Sequence, residues 1–191
     1  MTRISLTSRA HQLIAAQVNQ GDSVIDATVG NGYDTVFLAN LVGSTGRVYG
    51  FDIQQRALDI TTAKLSPNAS VSLIKANHAD LLIHIPSDAH GKISAVMFNL
   101  GYLPSGDKHI ITTANTTVLA LTAACTLLAK GGIITVLAYP GHAGGDLETQ
   151  QGMAWCLQLN PDCFAVSQID SIEIKANTPV LLIIRKIGAS C

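Results

Sequence analysis

At 191 residues the chain can bury a sizeable core, and 48% hydrophobic against 13% charged residues exclude long disordered tails. Net charge is −1 and the twelve Lys and Arg form no basic block, so composition announces no nucleic-acid partner, although a local patch such as Arg3 and Arg9 would suffice to touch phosphates. No signal peptide opens the chain and no apolar run reaches the roughly 18 residues of a membrane span, so a cytoplasmic, reduced location without membrane attachment is expected.

The first helix is expected from Thr7 to Asn19, about residues 7–20, with Leu13, Ile14 and Val18 on one side. Ser23 to Ile25 is an apolar strand. It runs into the turn Asp26-Ala27-Thr28-Val29-Gly30-Asn31-Gly32, which opens a helix from Tyr33 to Leu41. A second strand, Arg47 to Phe51, ends in Asp52. Gln54 to Leu65 reads as a helix stopped by Ser66-Pro67, and Val71 to Ile74 as a third strand. Leu81 to Ile85 is a short helix or turn closed by Pro86. Ile93 to Phe98 is the fourth strand, Thr112 to Ala129 a long apolar helix stopped at Lys130-Gly131-Gly132, and Ile133 to Ala138 the fifth strand. Leu147 to Leu159 is the last helix, broken by Asn160-Pro161, and Phe164 to Ile169 and Val180 to Ile184 close the chain as strands.

Strands alternating with helices predict parallel βαβ units, and their apolar, β-branched runs suit a sheet covered on both faces. The last two strands follow each other with only a loop between them, which predicts an antiparallel pair and one reversed strand at the sheet edge. The expected fold is α/β: a mostly parallel seven-stranded sheet with helices on both faces, the Rossmann-like class I methyltransferase arrangement. No linker or internal repeat divides residues 1–191, so one domain is expected.

A strand, a glycine turn, a helix and a second strand ending in an acid form a binding unit for an adenosine-containing cofactor, with Asp52 accepting from ribose hydroxyls. The dinucleotide pattern G-x-G-x-x-G is incomplete here, because Thr35 stands at the third glycine. Asp34 also sits at the helix start, where a pyrophosphate would meet repulsion in place of the positive helix end. A cationic methionine moiety suits that position, with Asp26 and Asp34 near its ammonium and sulfonium, and this favours S-adenosylmethionine over a nicotinamide cofactor. In doubly wound sheets ligands gather at the carboxyl ends of the strands. The cofactor-binding candidates are therefore Asp26, Gly30, Asn31, Gly32, Asp34, Thr35, Asp52, Ile53, Gln54, Asn77, His78 and Asn99. His78 would contact adenine or cap the short helix.

Asn99-Leu100-Gly101-Tyr102 resembles the Asn-Pro-Pro-Tyr type motif of methyltransferases acting on amino groups. A nitrogen nucleophile needs its N–H groups held by acceptors so that its lone pair faces the methyl group. The Asn99 side-chain carbonyl and the Leu100 backbone carbonyl can supply two such acceptors, and Tyr102 can stack on a planar base. The plain alternative is that Asn99 caps a turn and Tyr102 packs. His142 stands in a glycine-rich loop after the fifth strand, beside Tyr139. The catalytic candidates are Asn99, Tyr102 and His142; the substrate-binding candidates are Leu100, Gly101, Tyr102, Tyr139 and His142. Asp107 reads as a helix cap, Glu148 as an acid drawn to the first turn of the last helix by its dipole, and Trp155 as core. His11, His84, His90 and His109 show no partners at ligand spacing. Cys125, Cys156, Cys163 and Cys191 show no C-x-x-C spacing and are expected to be thiols, so no metal site is expected.

Taken in order, Asp26 to Thr35, Phe51 to Gln54, Phe98 to Lys108 and Tyr139 to Gly145 resemble the MnmM family, whose older label is putative rRNA methylase. The resemblance runs from about Thr7 to Arg185, with Ser105 where the family pattern has Gly. It implies S-adenosylmethionine-dependent methylation of the 5-aminomethyl group of 5-aminomethyl-2-thiouridine at the tRNA wobble position, with the anticodon region of tRNA as partner. It also implies that His142 contacts substrate or relays a proton. The residues themselves leave other readings open: an exocyclic base amine in rRNA or DNA, a small amine, a nicotinamide-dependent reductase, or a cofactor-binding module without turnover. The apolar Thr112 to Ala129 helix leaves room for a homodimer, and a buried helix explains it equally.

Overall fold

A computed structural model describes residues 4–101, 103, 111–141, 143–171 and 178–188. Seven strands form one sheet: β1 (Ser23–Asp26), β2 (Arg47–Asp52), β3 (Val71–Lys75), β4 (Ile93–Asn99), β5 (Leu128–Ala138), β6 (Phe164–Asp170) and β7 (Val180–Lys186), in the order β3-β2-β1-β4-β5-β7-β6. All neighbours pair in parallel except β7, which runs antiparallel to both β5 and β6. The reversed strand is thus one in from the edge, because β7 inserts between β5 and β6 and leaves β6 outermost, where most of its residues are exposed.

The period of two along each strand separates two cores. Ile25, Phe51, Val96, Phe98 and Ile134 face one layer of helices, α4 (Leu81–His84), α5 (Ala114–Leu127) and α6 (Gly145–Cys156). Val24, Val48, Ala95, Met97 and Ile133 face the other, built on α1 (Leu6–Ala15) and α2 (Tyr33–Val42). A further helix, α3 (Gln55–Thr62), follows β2. Ser5 caps α1 by accepting from the Ser8 amide at 3.1 Å, and α1 buries Ala10 and Ile14 against the sheet. The glycine pair expected to stop the long helix sits elsewhere: α5 ends at Leu127, and Leu128 is already paired with Ile93. Ala95 next pairs with Ile133, so residues 129–132 bulge between two neighbouring pairs.

Trp155 packs against the first core and donates to Thr122 Oγ1 at 3.2 Å. Cys125 and Cys156 are buried free thiols whose ionisation burial pushes up to about 12 and about 11. Cys163 is disulfide-bonded, against the expectation of a thiol. No helix among the described residues is long and apolar enough to cross a membrane.

Candidate active site

β1 neighbours both β2 and β4, so successive βαβ crossovers leave it in opposite directions and open a crevice at the carboxyl ends of these strands. A cavity of about 680 Å³ lies there, walled by the segments that follow β1, β2, β3, β4 and β5. Of the expected cofactor set, Gly30, Asn31, Asp34, Asp52, Ile53, Gln54, Asn77, His78 and Asn99 line it, as do the expected substrate residues Leu100, Gly101 and Tyr139. Tyr102, His142 and the segment 104–110, which includes Ser105, Asp107 and His109, lie outside the described residues.

The glycine loop owes its shape to packing as much as to ligand access. Gly30 donates its amide to Asp52 Oδ2 at 2.9 Å, and the other carboxylate oxygen accepts from the Gln54 amide at 2.8 Å. Asp52 therefore stands fixed at the end of β2, with its carboxyl held above the usual range by burial against these opposing hydrogen bonds. Gly32 is not in the wall. It takes φ +77° as the residue preceding α2, and a Cβ there would lie 2.4 Å from Thr61 Oγ1 on α3. Gly50 on β2 makes room beneath the loop, because a Cβ there would meet Val29 and Leu73 at 2.8 and 2.9 Å. Lys64 braces the loop from outside. Its Nζ donates to the Asn31 carbonyl at 2.6 Å and lies 3.9 Å from the centre of the exposed Tyr33 ring.

The two expected carboxylates behave differently. Asp26 is fully buried behind the wall, accepting from Thr35 Oγ1 at 2.5 Å and from the Thr28 amide at 3.1 Å. This differs from the expectation that Asp26 and Thr35 meet the cofactor: the two residues satisfy each other inside the β1–α2 junction. Burial first, then Asp34, pushes the Asp26 carboxyl up to about 7. Asp34 does face the cavity, in the first turn of α2. Asn99 donates its side-chain NH2 to Asp34 Oδ2, and His11 lies 2.6 Å from Asp34 Oδ1 while stacking on Phe37 at 4.0 Å.

The His11 contact revises the expectation of a histidine without a partner. With Thr7, which lies one turn earlier and lines the cavity, it makes α1 part of the site. Thr7 hydrogen-bonds Tyr139, whose phenol burial raises above the usual tyrosine range, so it remains a hydrogen-bond donor. The sequence carried a signal for this pair: Thr7 and His11 are polar residues at i, i+4 beside the apolar stripe Ala10–Ile14.

Asn99 closes the arrangement. Its backbone amide donates to Thr28 Oγ1 at 2.7 Å, which ties the end of β4 to the glycine loop. Asp34 holds the NH2 end of the Asn99 amide, which leaves the carbonyl end of this cavity-lining residue outside that bond as an acceptor. Gly101 takes φ +133° and donates to Thr112 Oγ1 at 2.8 Å. Thr112, absent from the expected set, in turn donates to Glu148.

An adenosine cofactor fits this wall. Asp52 offers a fixed carboxylate, and His78 is a buried imidazole in the wall whose Nε2 has no hydrogen-bond partner among the described residues. Asn77 caps the short turn after β3 by accepting from the Ala79 amide at 2.9 Å, which aims His78 inward and edge-on to Phe98. Burial lowers the His78 pKa to about 4, with the Ala27 backbone and Asp80 opposing, so the ring is neutral at pH 7. The depressed value means that the folded chain gains stability as pH rises through the 4–6.5 window and loses it on acidification. The buried Asp26 acts with the opposite sign between its ordinary value and about 7, so the two effects partly cancel in the parent. The variant His78→Asn should therefore gain about 2 kcal/mol relative to the parent between pH 7 and pH 5. Urea unfolding at both pH values checks this; a pH-independent difference would show that His78 does not titrate as described.

The sequence profile of the family described as "Putative rRNA methylase" matches residues 48–185. A solved "putative rRNA-methylase" from Clostridium thermocellum superimposes with a TM-score of 0.90 at 43% identity, covering 98% of this chain and 99% of that one. A "putative methyltransferase" from Streptococcus mutans, solved in complex with SAH, gives a TM-score of 0.84 at 31% identity, covering 97% and 99%. The "tRNA (mnm(5)s(2)U34)-methyltransferase, chloroplastic" of Arabidopsis thaliana is 38% identical over 159 residues, which are 78% of this chain. The aligned part is 57% of that relative's length.

Proposed function

The chain belongs to the putative rRNA methylase family, and on that premise we propose that it is an S-adenosylmethionine-dependent methyltransferase of the 5-aminomethyl group of tRNA wobble 5-aminomethyl-2-thiouridine. One observation carries the amine reading: Asp34 holds the NH2 end of Asn99 in the cavity wall, which leaves the side-chain carbonyl as the acceptor for an amine. S-adenosylmethionine supplies, when bound, an electrophilic methyl group on a positively charged sulfur; the SAH complex of the Streptococcus mutans relative supports this donor. Asp52 and His78 would hold its adenosine, and Asp34 lies where a cationic methionine moiety is favoured.

The chain's own residues then have one task, to hold an amine with its lone pair directed. An alkylamine with pKa about 10 is mostly protonated at pH 7, and reaching the neutral form costs about 4 kcal/mol. An aminomethyl group on an electron-poor ring has a lower pKa, which reduces that cost. The Asn99 carbonyl and the Leu100 backbone carbonyl accept the two remaining N–H bonds and leave the lone pair free, so orientation replaces a strong base. In the same reading Tyr102 holds the uracil, His142 contacts the substrate, and the work is done on tRNA in the cytoplasm. The Arabidopsis thaliana relative, by its name a tRNA methyltransferase, supports the choice of tRNA over rRNA.

Two measurements test this. Calorimetry is expected to show SAH binding and no NADH binding; the reverse result removes the donor assignment. Nucleosides of tRNA from a strain lacking the gene are expected to accumulate 5-aminomethyl-2-thiouridine by mass spectrometry, and normal levels of the methylaminomethyl form there would refute the substrate.

A further inference from the structure

Three buried carboxylates occur among the described residues, and two of them, Asp26 and Asp34, belong to the glycine loop and α2. The third is Glu148, 2% exposed in the first turn of α6. The helix dipole explains an acid in that turn but not its burial between two hydroxyls. Thr117 Oγ1 of α5 donates to Glu148 Oε1 at 2.5 Å, and Thr112 Oγ1 donates to Glu148 Oε2 at 2.8 Å. Thr112 is joined to Gly101 twice. Its hydroxyl accepts the Gly101 amide at 2.8 Å, and its own amide donates to the Gly101 carbonyl at 2.9 Å.

The direction of these bonds is set at Glu148. A threonine hydroxyl has one proton and two lone pairs, and a carboxylate only accepts. Giving its proton to Glu148 leaves the Thr112 oxygen as the acceptor that the Gly101 amide requires. The Glu148 amide also donates to the Gly144 carbonyl at 3.0 Å, so the residue stands where the loop after β5 enters α6. We infer that Glu148 is a positioning residue for the proposed amine transfer: through Thr112 it fixes the backbone of Asn99–Leu100–Gly101 and joins it to Gly144 at the start of α6. The inference rests on the reading that Asn99 and the Leu100 carbonyl align the amine. Its consequence is that substrate alignment depends on a residue walled off from substrate and donor alike.

Glu148→Gln turns one of the two acceptor oxygens into an NH2 donor, Thr112→Val removes the link, and Thr112→Ser keeps the hydroxyl. The first two are expected to lower kcat about 10- to 100-fold on tRNA carrying 5-aminomethyl-2-thiouridine, with SAH affinity and the KM for tRNA held within about threefold. Thr112→Ser is expected to stay near the parent. Hydrogen exchange followed by mass spectrometry reads the same link without turnover: the Gly101 amide exchanges faster in Glu148→Gln and Thr112→Val and not in Thr112→Ser. Parent-like kcat in a folded Thr112→Val overturns the inference. So does a loss of SAH affinity parallel to the loss of turnover, or Thr112→Ser as damaged as Thr112→Val. If Glu148→Gln fails to fold, Thr112→Val carries the test, because it leaves the Glu148–Thr117 bond in place. A parent enzyme inactive on that tRNA, with Gly101 exchange still responding, refutes the substrate and upholds the positional link.

Discussion

Replacing Asn99 by Ala is expected to cut turnover about 10- to 1000-fold while SAH still binds, because alignment of a nucleophile is worth several kcal/mol. The backbone amide of Asn99 keeps its bond to Thr28 in the variant, so the end of β4 stays in place and the loss is confined to the side chain. Asn99→Asp is expected to be at least as damaging despite its near-identical shape. It removes the NH2 that Asp34 accepts and sets two carboxylates against each other. Like charges in contact disfavour double ionisation, so residual activity would change with pH in a way the parent's does not. Single-turnover rates across pH, with SAH affinity measured in parallel, separate these outcomes. Unchanged turnover in Asn99→Ala would show that the residue only caps the strand, and the amine reading would lose its support.

The largest effect on stability is expected at Gly32. A side chain there must accept φ +77°, which costs roughly 1–2 kcal/mol. It must also displace Thr61, whose Oγ1 and Cβ would lie 2.4 and 2.9 Å from the new Cβ. Overpacking of that kind typically adds about 1–3 kcal/mol, so Gly32→Ala is expected to lose about 2–5 kcal/mol and on the order of 10 °C in Tm. Gly30→Ala is the control. Its nearest neighbours would be Leu103 and Thr28 at 3.7 and 3.8 Å, ordinary contact distances, so only the backbone cost remains. Thr61→Ala in the Gly32→Ala background removes the closest atom and is expected to recover part of the loss. Equal melting temperatures for the two glycine variants would contradict this account.

These two residues also mark how far the sequence could be read. Periodicity placed every strand and the main helices, because burial on one or both sheet faces dictates the pattern, and the order of acids and glycines at the strand ends located the crevice. The partners of those acids were hidden because they are tertiary. His11 reaches Asp34 across 23 positions, and Thr112 reaches Glu148 across 36. Thr35, which looked like a defect in a glycine pattern, is the hydroxyl that satisfies Asp26, while Gly50, unremarked in its strand, makes room for Val29 and Leu73. Glu148 was readable as an acid at a helix start; nothing local announced that two threonines would enclose it. The insertion of β7 between β5 and β6 likewise depends on sheet pairing and not on any feature of either strand alone.

Because α1 precedes in the chain the residues it touches at the site, Thr7 meeting Tyr139 and His11 meeting Asp34, assembly has a built-in order. Closing such a long loop is entropically slow, and α1 lies against β5 and β7, so its docking has to await their pairing. A nascent chain would carry a finished glycine turn and an unfinished pocket until β5 and β7 had emerged.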